Sequence, residues 1–345
     1  MPSSRPQTPG TFIISLDFEL YWGVRDVKTV AQYRENLMGA RRAVPAMLAT
    51  FGEYDIHATW ATVGFLFFGR RSELLGSLPA ERPRYDDARL SPYADMGAIG
   101  EDENEDPFHF ARSLLEQIRS SPGQEIGTHT FSHYYCLEPT QSVAAFRADL
   151  RAALAAAADF GVELKSIVFP RNQYDQAHLQ VCGEMGLRMF RGNPQSWLYR
   201  PRAGADEKLW IRAARLLDSY CDLASHNCYP LPESANGVPL NLPASRFLRP
   251  YRPNRPTALQ ERRVKNDLTY AARHGLAYHL WWHPHNCGID LEKNIGMLRR
   301  ILEHFQDLRE GYGMQSKNMA ESTLNQSEFQ DHGVSEEDRF GRQRR

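Results

Sequence analysis

Three stretches of this 345-residue sequence concentrate side chains able to hold a metal ion and to move protons. In Gly127–His133 (GTHTFSH), His129 and His133 stand four apart. In the first turn of a helix they would share one face with Cβ atoms about 5–6 Å apart. Two neutral imidazole nitrogens could then each approach one cation to about 2.0–2.1 Å. In Ser15–Trp22, Asp17 and Glu19 are separated by one residue and would face the same side of a strand. In Leu280–Gly288 (LWWHPHNCG), His283 falls just past a strand end, before Pro284, with His285 two residues on.

One carboxylate and two histidines make a three-ligand site with open positions, where a metal turns water into a nucleophile near neutral pH. A second carboxylate that is not a ligand can take the proton from that water. His283 is placed to act as a general acid, with His285 in support. His279 and His283 are also four apart, but in a strand that is about 13 Å at roughly 3.3 Å per residue, too far to share an ion. Arg171, at the end of its own strand, is a candidate to orient or tune a nearby carboxylate through its fork of donors. Trp22 and Trp60, with Trp281 and Trp282, are candidates for a sugar-stacking wall. The plainer alternatives are solvated carboxylates, core histidines and core tryptophans. Two His and one carboxylate also describe non-haem Fe(II) oxygenases, which need no neighbouring base.

The elements that must position these residues alternate. Thr11–Leu16 reads as a buried strand bounded by Pro9 and Gly10, and a helix over 36–51 ends at Gly52. A second strand lies within 57–68. Residues 69–123 form a long irregular insertion with one helix at 107–120, expected either to cover the site or to be a surface excursion. The chain then continues with a helix over 142–160, a strand over 165–169, a helix over 176–185 and a short strand over 187–190 ending at Arg191. Further expectations are a helix over 205–217, a strand over 221–228, a helix over 259–274, a strong strand over 277–282 and a helix over 290–305. Strands alternating with helices, each strand ending in a polar residue, indicate a parallel α/β barrel or doubly wound sheet. In a barrel the strand ends would form the catalytic face. Residues 1–10 read as a flexible N-terminus, 11–312 as the barrel with insertions, and 313–345 as a polar, weakly ordered tail.

Hydrophobic residues at 42% and charged residues at 24% fit a globular enzyme with a large core. The net charge of −1 provides no whole-protein field for nucleic acid. No run of eighteen apolar residues offers a membrane span. Cys136, Cys182, Cys221, Cys228 and Cys287 are odd in number, scattered and without a CxxC pair. With no export signal visible, they suggest reduced thiols and a cytoplasmic location. Arg249, Arg252 and Arg255, with Arg246 before them, recur every three residues among Pro250, Pro253 and Pro256. On a polyproline II segment they would line one edge and suit phosphate or carboxylate groups, unless they pair with acids of the chain such as those in 101–106.

In this order the motifs resemble the polysaccharide deacetylase family, the chitooligosaccharide deacetylase homology group. LDFEL resembles its first motif in a spaced Asp-x-Glu form, which would make Asp17 the base and Glu19 a metal ligand. THTFSH resembles the second, with His129 and His133 as ligands. FPRNQ resembles the Arg motif, and LWWHPHN the last, with His283 as acid. The resemblance covers roughly 11–309. It implies a distorted (β/α)7 barrel and metal-dependent hydrolysis, with zinc as the expected ion, of an N-acyl bond. An N-acetyl sugar is the expected substrate, possibly nucleotide- or lipid-linked and destined for surface polysaccharide. The HPxxxG ending (His283, Pro284, Gly288) also resembles ring-opening amidases similar to allantoinase. Glu19 in place of Asp and the altered Arg motif leave a glycan-binding barrel without turnover as a further alternative.

Overall fold

A computed structural model describes residues 8–195, 225–233 and 237–323. The first strand, β1 (Thr11–Phe18), is buried along its whole length, as a strand covered on both faces must be. Its alternation sorts its side chains between two apolar layers. Phe12, Ile14, Leu16 and Phe18 join the outer core under the helices. Ile13 joins a smaller inner cluster with Ala61, Val168, Met189, Leu240 and Leu242. Ser15 and Asp17 continue that inner face upward by the two-residue period.

The strands β2 (Ala58–Thr62), β3 (Gln124–Thr128), β4 (Ser166–Ile167) and β5 (Met189–Phe190) follow β1 in parallel register. On the other side of β1 lies β8 (Ala277–Trp282), also parallel. Closure comes from one stretch, β6 (Leu240–Asn241) and β7 (Arg246–Phe247). Leu240 and Asn241 pair with β5, while Arg246 and Phe247 pair with β8. Between them, Leu242 N bonds Phe190 O at 2.9 Å and Ser245 N bonds His279 O at 2.8 Å. Taken as one kinked strand, this stretch makes seven positions around a distorted (β/α)7 barrel, the architecture expected from the sequence.

The surrounding helices are α1 (Val30–Glu53), α2 (Arg71–Gly76), α3 (Arg112–Ser120), α4 (Val143–Asp159), α5 (Gln176–Glu184), α6 (Thr257–His274), α7 (Pro284–Cys287) and α8 (Leu291–Tyr312). Thr29 and Gln32 form a reciprocal capping box at the start of α1. That helix runs through Gly52, so this glycine does not end it. Gly39 on α1 faces Gly288 after α7. A Cβ on Gly288 would lie 2.2 Å from the Gly39 carbonyl carbon, so the last residue of HPxxxG is fixed by close packing. The insertion 69–123 is anchored beside the barrel mouth: Tyr21 N bonds Phe108 O, and Trp22 Nε1 bonds His109 O at 2.9 Å.

The expected tail boundary at 313 is too early. Strand β9 (Gln315–Lys317) pairs with Thr11–Ile13 of β1. Met319 is then fully buried, and Ala320 N bonds Glu125 Oε2 at 3.0 Å, so this stretch floors the barrel. The expected N-terminal arm, up to residue 7, the helix over 205–217 and residues 324–345 lie outside the described residues. The strand expected over 221–228 is not formed in its described part, 225–228. The arginine strip is not one extended edge either. Arg246 belongs to β7 and is buried against Asp267, with Nε to Oδ2 at 3.0 Å. The acids in 101–106 serve other partners, Glu101 pairing with Arg71 and Glu103 with Arg41. No helix among the described residues is long and apolar enough to cross a membrane.

Candidate metal centre and active site

The two histidines do not meet on a helix. His129 follows the end of β3, and the chain turns back through Thr130 and His133, both with positive φ (63° and 58°). A β-branched residue in that region is strained. Asp149 on α4 supports the turn, accepting from Phe131 N at 2.7 Å, Ser132 N at 3.1 Å and the Ser132 hydroxyl. Thr130 Oγ1 accepts from Tyr134 N at 2.7 Å. The turn achieves what a helix was expected to do and points both rings at the mouth of the barrel.

Glu19 meets them just beyond the end of β1. Its Oε2 lies 3.1 Å from His133 Nε2 and 3.3 Å from His129 Nε2, and all three residues are buried. Ligands about 2.0–2.1 Å from a common ion in a tetrahedral arrangement stand about 3.3 Å apart, so the two separations from Glu19 to the histidines fit a zinc-sized ion. The protonation states also fit. His129 Nδ1 donates to Val168 O at 2.8 Å, and His133 Nδ1 lies 3.1 Å from Tyr135 Oη, which leaves both Nε2 atoms for a cation. Burial lowers the pKa of His133. Burial acts to raise that of Glu19, but His283, His129 and His133 hold it well below the usual carboxylate range. An ionised carboxylate beside a neutral imidazole is what a metal requires.

Gly23 makes room for the longer acidic side chain: a Cβ there would lie 1.9 Å from Glu19 Cδ. Asp17, deeper in the barrel, does not join the ligand group. Arg191, one residue past β5, grips it with Nη1 to Oδ1 at 2.7 Å and Nη2 to Oδ2 at 2.8 Å. Burial would raise the Asp17 pKa, and the guanidinium outweighs it, leaving Asp17 below its ordinary value. Arg191 Nη1 also reaches Ser15 Oγ at 3.0 Å, and that hydroxyl meets His279 Nε2 at 2.8 Å. His279 is therefore an internal support behind the Asp17–Arg191 pair; burial lowers its pKa to about 3.

His283 Nε2 lies 3.7 Å from Asp17 Oδ2 and 3.6 Å from Glu19 Oε1, facing both carboxylates from the side open to solvent. Asn286 Nδ2 sits 3.5 Å from His283 Nδ1, and Tyr33 Oη donates to Asn286 Oδ1 at 3.0 Å. His285 stacks on His283 with ring centres 5.1 Å apart, but is buried and has its pKa lowered to about 3 by that burial and by His283. Its Nε2 lies 4.0 Å from Glu19 Oε1, so it packs against both the His283 ring and that carboxylate.

Two expectations need correction, those for Arg171 and for the tryptophans. Arg171 does not touch Asp17 or Glu19; its carboxylate partners are Asp26 and Glu138, and its guanidinium lies 4.1 Å from the Tyr135 ring centre. It therefore acts at one remove, on the tyrosine that orients His133. Trp22 and Trp60 are core residues, 2% and 0% exposed, held by Phe65 and His109 and by Phe18 and Phe51. Neither can stack on a sugar. Arg249 and Arg252 lie on the loop after β7, half-buried. The residue the sequence reading passed over is Arg191, although its place immediately after a strand matched that of His129.

Among families of known proteins, the one described as Polysaccharide deacetylase matches residues 28–190. The match includes His129, His133 and Arg171, stops one residue before Arg191, and leaves Asp17, Glu19 and His283 outside. No curated protein matches the chain in sequence. Among solved structures, one from Mycobacterium smegmatis, provisionally described as a polysaccharide deacetylase, aligns at a TM-score of 0.56 with 14% identity, over 92% of this chain and 91% of its own. A second, from Pseudomonas aeruginosa PAO1 and described in similar terms, aligns at 0.50 with 11% identity, over 86% and 84%. At these identities the likeness is one of fold. The chain thus carries a polysaccharide deacetylase match over residues 28–190 and shares the barrel fold of these two structures.

Proposed function

We propose that the protein is a metal-dependent deacetylase that hydrolyses the N-acetyl group of a sugar unit. The observation that carries this reading is the convergence of Glu19, His129 and His133 on one point, with Asp17 and His283 beside it. A divalent ion there, zinc by the chemistry of two imidazoles and a carboxylate, supplies a Lewis acid for the acyl oxygen and acidifies water enough for a weak base to suffice.

The chain's own groups do the rest. Asp17, kept ionised by Arg191, takes the proton of the attacking water as its oxygen bonds to the acyl carbon. His283 gives a proton to the nitrogen as the C–N bond breaks, so acetate and a free amine leave. The two Arg191 bonds fix Asp17 in position, and Asn286, held by Tyr33, fixes the His283 ring. The free thiols at Cys136, Cys182, Cys228 and Cys287 support a reducing, cytoplasmic setting for this reaction.

The test is acetate release from N-acetylglucosamine oligomers by the zinc-loaded chain and its Asp17→Asn variant. The variant should bind zinc as the wild type does and lose about 10²–10⁴ in kcat. Undiminished turnover by the variant refutes the assignment of the base. No turnover by the wild type favours a glycan-binding barrel, while bound iron with oxygen consumption favours an oxygenase.

A further inference from the structure

Arg252 lies on the loop that leads from β7 to α6, on the face of the barrel where the strands end and next to the segment that carries His283. Two loops are tied together at that point by Asn294, which is buried on α8. Its Oδ1 accepts from Tyr251 N at 2.7 Å, while its Nδ2 donates to Ile289 O at 2.8 Å and Cys287 O at 3.2 Å. Arg252 O in turn accepts from Arg255 N at 3.0 Å. The backbone just before Arg252 is thus braced, through Asn294, against the segment that follows His283, and the loop after it is closed by its own turn.

Its side chain is not used in that brace. Among the described residues, the half-buried Arg252 guanidinium makes no hydrogen bond or ion pair, whereas Arg246 of the same run is buried on Asp267. Arg255 is exposed. The positive charge of Arg252 is felt at two groups, the Tyr33 hydroxyl and the Cys287 thiol. Both flank Asn286, the residue on His283 Nδ1, and Tyr33 also packs edge-on to His285 at 5.4 Å. An unpaired cation on a loop braced to the His283 segment is suited to a ligand that brings its own negative charge. A guanidinium binds carboxylate and phosphate through parallel N–H donors, so either group would satisfy it.

We propose that Arg252 forms an anion subsite on the His283 side of the barrel mouth, which takes a carboxylate or phosphate carried by the N-acylated substrate. The inference rests on the deacetylase reading for the identity of that substrate. It makes the enzyme selective for anionic N-acyl sugars over neutral ones.

Calorimetric binding separates this claim from turnover. The zinc-loaded Asp17→Asn chain, which does not consume its ligand, is titrated with N-acetylglucosamine, N-acetylglucosamine 1-phosphate and N-acetylmuramic acid. At least one anionic probe should bind ten-fold or more tighter than the neutral sugar, and the favoured probe tells phosphate from carboxylate. Adding Arg252→Gln should abolish the preference, and raising the salt concentration should weaken it. Equal binding of all three probes, or a preference that survives Arg252→Gln, overturns the subsite. Acetate release by the wild type on the same probes is scored separately. Its absence would count against the deacetylase and leave the binding result to decide the subsite.

Discussion

Arg191 holds Asp17 through two parallel hydrogen bonds, 2.7 and 2.8 Å long, while the face of the same guanidinium lies 4.1 Å from the centre of the Trp281 ring. Both partners of this ion pair are nearly inaccessible to solvent, at 1% for the Arg191 side chain and 5% for that of Asp17. Removing one charge would strand the other, which costs about 3–5 kcal/mol in a buried pair. Arg191→Ala should therefore lose that much stability in urea denaturation, and Asp17→Asn combined with Arg191→Ala should recover part of it. If the double variant is no more stable than Arg191→Ala, the two residues are not coupled as described.

The proposed metal centre depends on space as well as ligands. Gly23 leaves the Glu19 carboxylate no room to spare, since an added Cβ would overlap it at 1.9 to 2.3 Å. Gly23→Ala is expected to displace that carboxylate and weaken zinc binding at least ten-fold, with little change in far-UV circular dichroism. Competition against a chromophoric chelator measures it; unchanged affinity would mean that Glu19 does not reach the ion.

Tyr135 is the outer partner of the proposed ligand His133. Its hydroxyl stands 3.1 Å from His133 Nδ1, and Arg171 lies over its ring. Loss of such a partner usually costs about 10–100-fold in metal affinity or activity. Tyr135→Phe should fall in that range, and Arg171→Ala should show a smaller effect in the same direction. An Arg171→Ala loss as large as that of Asp17→Asn would return Arg171 to the catalytic group.

Asp149 gives a pH signature. Burial pushes its pKa from 3.8 up to about 6, despite the donors from Phe131 and Ser132. A carboxyl raised on folding stabilises the fold fully below its unfolded pKa and loses that contribution as pH rises through the folded value. Relative to Asp149→Asn, the wild type should thus lose on the order of 2–3 kcal/mol between pH 4 and pH 6.5, at about 1.4 kcal/mol per pKa unit. Urea titrations of both proteins across that range decide it; a constant difference would mean that Asp149 has an ordinary pKa.

Much of this arrangement was legible in the sequence because barrel strands carry two signals at once. The run TFIISL marks a doubly covered strand, and the polar residue that ends each run marks the catalytic face, which is how Asp17, Glu19, His129, His133 and His283 were found. What escaped was set by tertiary contacts. The two-residue strands β4 and β5 have almost no pattern of their own, so Arg171 and Arg191 could not be told apart by position. Only the fold shows which of them turns inward. Trp22 and Trp60 had the composition of a sugar platform, but burial is a property of their neighbours. The turn at Thr130 and His133 was hidden too, since it depends on Asp149, seventeen to eighteen residues away on another element.

The central claim is that Glu19, His129 and His133 hold the ion on which hydrolysis depends. The most direct measurement is acetate release from N-acetylglucosamine oligomers by chelator-stripped protein as zinc is added back, for the wild type and His133→Ala. The account predicts no turnover without metal, a rise that saturates at one equivalent per chain, and no recovery by His133→Ala at that zinc level. Turnover by the metal-free chain, or full recovery by His133→Ala at one equivalent, would contradict it.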